Sequence, residues 1–113
     1  MTFDENGICV LEPATFEAAV DVVLGELRAT LIRKQHDYGP GNILDFGEYG
    51  VLVRANDKMA RLKNLLKSGE APANEAIDDT WGDLANYGII ALMVRRGLWG
   101  LPIEAHKAKL EGK

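Results

Sequence analysis

From Phe16 onward, apolar side chains recur at Val20, Val23, Leu27 and Leu31, the three-and-four spacing of one helix face. Pro13 and Thr15 precede this stripe as helix-start signals, and Asp37-Tyr38-Gly39-Pro40-Gly41-Asn42 interrupts it as a loop. A second stripe, Val51/Leu52, Ala55, Met59, Leu62 and Leu66, predicts a helix from about Tyr49 to Lys67, stopped by Ser68-Gly69. A third helix is predicted from its cap at Asn74 to about Arg96, with Gly97 as its stop. Its stretch from Gly88 to Val94 holds no polar residue, and a helix apolar on every side is buried on every side. Three helices cannot easily surround one of themselves. The pattern therefore predicts a homodimer that completes a larger bundle, unless the chain's own tail covers the remaining face. Pro102 can open a short, mostly polar helix over Ile103 to Leu110, and residues 1–12 read as an extended or short-strand arm. The expected fold is all-α: one domain over residues 1–113, with three main helices, a short C-terminal helix and a polar tail over 102–113.

Composition narrows the function classes. With 113 residues, 47% of them hydrophobic and 27% charged, the chain suits one globular domain. A net charge of −4 and no basic tract disfavour direct nucleic-acid binding. The lone cysteine, Cys9, cannot form an internal disulfide, which suits a reducing cytoplasm. The acidic N-terminus lacks the apolar run of a signal peptide, and Gly88 to Val94 is too short to span a bilayer, so no membrane partner is expected.

Three groups of residues could carry chemistry. Glu75, Asp79 and Asp83 stand four apart, which stacks them on one helix face in the direction of Ile90. Like charges at that spacing repel by a few tenths of a kcal/mol per pair, so a helix that accepts them often has a cation there. Oxygen ligands without neighbouring histidine or cysteine point to Mg²⁺ or Mn²⁺ in preference to zinc. Lys34 prolongs the first helix's apolar stripe, and Tyr38 follows in a glycine-rich loop. This placement predicts that both line one pocket with the acidic row. The lysine could equally snorkel out to solvent. On the second helix, Arg54, Asp57, Arg61 and Asn64 form a row opposite the Met59/Leu62 stripe, which reads as a solvated face with an Asp57–Arg61 pair. Covered by another helix, the same row would offer oxygen to a metal and nitrogen to phosphates.

Three segments in order resemble a known family. Lys34-Gln-His-Asp37-Tyr38-Gly39 matches K-x-x-D-Y-G; Arg54 to Leu65 matches R-x-x-D-K-x-x-R-L-x-N-L; Glu75 to Tyr87 matches E-x-x-x-D-T-x-x-D-L-A-x-Y. Together, over roughly residues 28–95, they resemble the first nucleotide-modification-associated domain family of phages and bacteria. That family looks akin to the MazG-like all-α nucleoside triphosphate pyrophosphatases. The resemblance implies an Mg²⁺-dependent hydrolase, a nucleoside triphosphate or modified deoxynucleotide as substrate, and a phage-type setting in nucleotide metabolism or DNA modification. It implies Asp57, Asp79 and Asp83 as catalytic carboxylates, with Glu75 joining them around the metal (Mg²⁺ or Mn²⁺). Lys34, Lys58 and Arg61 would face phosphates, Tyr38 or Tyr87 would stack on the base, and Asn64 or Asn86 would hydrogen-bond base or ribose. The MazG-like group carries E-x-x-E on one helix, whereas here Ala60 and Arg61 occupy the region of the second acid. The alternative is therefore a non-catalytic helical module that binds a nucleotide or a partner protein.

Overall fold

The structure is a computed structural model that describes residues 2–3, 9–10, 12–69 and 73–104, with side chains over 12–69 and 76–104. Two short strands, β1 (Thr2–Phe3) and β2 (Cys9–Val10), pair antiparallel with Thr2 opposite Val10, as the extended arm led one to expect. Four helices follow: α1 (Phe16–Tyr38), α2 (Gly41–Leu44), α3 (Gly47–Ser68) and α4 (Ala73–Arg95). The fold is all-α in its body, with α3 and α4 forming its main packed pair. The expected tail helix lies largely outside the described residues. Among the described residues, no helix is long and apolar enough to cross a membrane.

Local chemistry sets the ends of these helices. The Thr15 side chain accepts a hydrogen bond from the Ala18 N–H at 3.1 Å, satisfying an otherwise unpaired donor in the first turn of α1. Gly39 ends α1 at φ +71°, and its N–H donates to the Gln35 carbonyl at 2.8 Å. The segment read as a loop then forms the one-turn helix α2, because Ile43 has an apolar face to bury. At the end of α4, Gly97 sits at φ +68°. The Leu98 N–H bonds the Met93 carbonyl at 2.8 Å and the Gly97 N–H bonds that of Val94 at 3.2 Å, a Schellman closure. This reversal returns Trp99 to the bundle.

The core gathers at that end. Ile43, Val51, Ile90 and Trp99 form one buried cluster, with Leu31, Tyr87, Ala91, Met93 and Val94 packed against it. Each fully buried aliphatic or aromatic side chain contributes about 1.5–3 kcal/mol. Trp99 also ties three elements together. Its indole N–H donates to the Pro40 carbonyl at 3.3 Å, and its own carbonyl accepts from the Gln35 amide at 3.4 Å.

Two expected stripes need correction. On α1 no residue is buried; Phe16, Val20 and Val23 are exposed, while Leu27 and Leu31 are half-covered. Among the described residues, its packing on the buried core is made in the C-terminal half, at Leu31. On α3 the inward line is Val51, Ala55, Lys58, Leu62 and Leu65, whereas Leu52, Met59 and Leu66 are exposed. Both lines keep three-and-four spacing, so the true one was hidden by the charged residue within it. The polar-free run of α4 packs unevenly: Ile90 is buried, Met93 and Val94 are half-buried, and Leu92 faces out.

Candidate functional site

The end of the bundle that holds the core also holds a cavity of about 240 Å³. The last turns of α1 contribute Leu31, Lys34, Gln35 and Tyr38 to its wall. Gly39, Asn42 and Ile43 follow, α3 supplies Arg54, α4 supplies Asp83, Asn86, Tyr87 and Ile90, and Trp99 closes the end. The α4 residues fall at steps of three and four, so one face of that helix lines the cavity from Asp83 to Ile90. The lining thus combines three aromatic rings, three side-chain amides, two cations and one carboxylate.

Asp83 is the electrostatic centre. Its Oδ1 accepts from the Lys34 ammonium at 2.9 Å, and its Oδ2 lies 3.0 Å from that of Lys58. Partial burial pushes the Asp83 carboxyl upward. Hydrogen bonds from Lys34 and Lys58, then their positive charges, outweigh that burial and hold it below the ordinary 3.8. Lys58 reaches Asp83 because it stands on the inward line of α3. Each ammonium has three donors, so both lysines keep hydrogen-bonding capacity for an incoming anion.

Asn86 is the second polar anchor. It is 6% exposed, and its Nδ2 donates to the Leu27 carbonyl at 3.3 Å. Its Oδ1 is buried and accepts no hydrogen bond. Six residues earlier, Thr80 is also buried, but its hydroxyl bonds the Ala76 carbonyl of its own helix and is internally satisfied.

The residues expected to act together separate into two groups. Lys34, Tyr38, Asp83, Asn86 and Tyr87 line the cavity, and Lys58 joins them through Asp83. Asp79 lines only a second, wider groove between α1 and α4, with Val23, Leu27, Asp78 and Trp81; Lys34, Asp83 and Asn86 border both spaces. Asp57, Arg61 and Asn64 are exposed on the outer side of α3 and line neither space. Asp57 and Arg61 form no ion pair with each other in the structure. The physical reason is rotation: Asp57 is one residue, about 100°, away from Lys58 on the helix, so the lysine meets Asp83 and the carboxylate faces out. The side chain of Glu75 lies outside the described residues.

These positions bear on the expected metal. Among the described residues, no three of His, Cys, Asp and Glu come together to hold an ion. The one carboxylate in the cavity is already neutralised by two ammonium groups. Of the expected ligands, the described side chains of Asp57, Asp79 and Asp83 therefore do not gather around one point, and that of Glu75 is not described.

Four lining residues with polar or aromatic side chains escaped the sequence as site residues. Arg54 was assigned to a solvated row, yet it is half-buried and lines the cavity. Gln35, Asn42 and Trp99 carry no motif. A tryptophan two residues after a helix-stopping glycine was the available signal, since an apolar residue just past a Schellman turn tends to pack back onto the helix.

The sequence profile of nucleotide modification associated domain 1 matches residues 34–94, which spans the cavity from Lys34 to Ile90. The chain belongs to that family. No curated protein and no solved structure matches it. The nucleotide modification associated domain therefore begins at the lysine that grips Asp83 and covers all of α3 and nearly all of α4. Trp99, which caps its cavity, lies beyond the matched segment.

Proposed function

We propose that this protein binds a nucleotide, with the base in the cavity and the phosphates at Lys34 and Lys58. The observation that carries this reading is the lining itself. Tyr38, Tyr87 and Trp99 offer rings to a flat heterocycle, Gln35, Asn42 and Asn86 offer amides to its edge, and Lys34 and Arg54 offer charge to an anionic tail. At about 240 Å³ the cavity falls just below the roughly 300–1,000 Å³ of typical ligand sites, which suits a base with its sugar and phosphates reaching outward. Asp83 holds the two ammonium groups side by side, so the charge that meets the phosphates is positioned before the ligand arrives. Membership of a family named for nucleotide modification supports the same ligand class. A reducing cytoplasm, that of the host if the protein is phage-encoded, is the setting consistent with the lone Cys9.

The test is calorimetry with a panel of deoxynucleoside triphosphates, with and without Mg²⁺, followed by chromatography of the products. Saturable binding that survives chelation of metal is expected. Absence of binding to every nucleotide would overturn the reading. Release of pyrophosphate and monophosphate in the Mg²⁺ arm would add pyrophosphohydrolysis, the turnover the resemblance implies.

We infer in addition that the protein is a homodimer through α1 and the groove beside it. Val20, Val22, Val23 and Leu24 on α1 and Trp81 on α4 are exposed apolar side chains beside that groove. A second copy is the occupant that supplies an equal apolar face. Sedimentation should give a dimer, and Val23→Lys should give a monomer. A wild-type monomer at tens of micromolar would refute the assignment.

A further inference from the structure

We propose that Asn86 selects the base: the cavity takes nucleotides whose base presents an exocyclic amino group, as adenine and cytosine do. The inference rests on the nucleotide reading above and adds its specificity. A buried side-chain oxygen without a donor is rare, because leaving it unpaired forfeits its hydration without replacement. Asn86 Oδ1 is such an atom. The amide cannot simply be turned over to relieve it. Its nitrogen already donates to the Leu27 carbonyl, and the opposite orientation would set two acceptors against each other there. The oxygen is therefore fixed as a buried acceptor on a residue that lines both the cavity and the groove beside it.

The neighbours agree with this polarity. Gln35 also commits its amide nitrogen to a main-chain carbonyl, that of Trp99, and is left with an oxygen. Along α4, Asn86 follows the lysine-bound Asp83 by three residues, a rise of about 4.5 Å, and precedes the buried Ile90 by four. A nucleotide in the orientation proposed above, with its base in the cavity and its phosphates at the lysines, sets the base alongside Asn86. An amino group there gives the oxygen its missing donor. A keto oxygen in the same place would face it with a second acceptor, so discrimination comes from repulsion as well as attraction. Sites built to hydrogen-bond a particular group reject analogues lacking it far more strongly than apolar pockets discriminate size.

Two matched pairs test the proposal: dCTP against dUTP, and dATP against dITP, each measured by calorimetry in chelator to prevent turnover. Within a pair, the members differ by amino against keto at one ring position. The amino member should bind about tenfold or more tightly in at least one pair, and Asn86→Ala should reduce that ratio to within about twofold. Equal binding in both pairs, or a ratio unchanged in Asn86→Ala, would overturn the selection while leaving nucleotide binding standing. Binding of none of the four would overturn both. If Asn86→Ala loses the wild-type helical circular dichroism, the side-chain amide resonances of Asn86 in the wild type serve instead. They should move with the amino member of the pair and stay in place with the keto member; equal movement with both would contradict the proposal.

Discussion

The two halves of α1 meet different surroundings. The C-terminal half lies against Asn86, Trp99 and Ile43, holds Lys34 on Asp83, and forms one wall of a closed-ended cavity. The N-terminal half carries Phe16, Val20, Val22, Val23 and Leu24 on its surface, with Phe16 79% exposed. The exposed N-terminal half is by sequence the more apolar of the two, so hydrophobic content alone does not decide burial. What differs is the opposite side. The returning Trp99 and the buried Ile43 of α2 give the C-terminal half something to pack on, and the described residues offer the N-terminal half no counterpart. Apolar surface organised by its own chain builds a site, while apolar surface left over serves association.

Truncation should separate the two halves most sharply. Trp99→Ala removes a 6%-exposed indole and its hydrogen bond to the Pro40 carbonyl, and should cost about 3–5 kcal/mol in denaturant unfolding. Phe16→Ala should stay within about 0.5 kcal/mol at concentrations where the protein is monomeric. Similar losses for both would erase the distinction between a packed and an open half.

A parallel contrast exists across α3, with a smaller expected effect. Lys58→Met removes one of the two ammonium groups on Asp83 and should weaken nucleotide binding roughly tenfold or more, the scale of a charge-assisted hydrogen bond of about 1.5–3 kcal/mol. Arg61→Met, on the exposed side, should change the Kd less than twofold. Both substitutions remove one positive charge, so an equal effect would mean that only net charge matters.

The smallest effect concerns Asp83 in the free protein. A bare row of like charges would make Asp83→Asn neutral or slightly stabilising. The observed contacts reverse that sign, because the carboxylate separates two ammonium groups. Asp83→Asn should destabilise the protein by about 1 kcal/mol, the upper end for partly exposed ion pairs. The native carboxyl titrates below 3.8, so as pH falls the unfolded chain takes up the proton first. The difference between wild type and variant should be complete above that ordinary value and vanish as pH drops through the lower native one. Thermal melts from pH 7 to pH 2 measure it; a difference that grows on acidification would contradict the assignment.

The helices were legible because three-and-four spacing, Thr15 at one cap and glycines at the others are local signals. The inward face of α3 was not. Two overlapping apolar lines share Leu62 and Ala55, and the one that packs includes Lys58, which only the distant Asp83 makes tolerable there. The same pairing explains the acidic row. Spacing placed Asp79 and Asp83 on one helix face, and both do line the groove beside α1, but only Asp83 also reaches the cavity. Lys34 and Tyr38 were readable because they extend a stripe that does reach the core. Trp99 was not, since its position depends on a chain reversal whose consequence is tertiary.

The most direct measurement is a titration of the isotope-labelled protein with dATP, followed through backbone amide resonances. Shifts should concentrate at Lys34 to Ile43, at Asp83 to Ile90 and at Trp99, while Phe16 to Glu26 stays unmoved. Shifts confined to Val23–Arg33 and Asp78–Trp81, along the open groove, or none at millimolar nucleotide, would contradict a base-binding cavity at the packed end of the bundle.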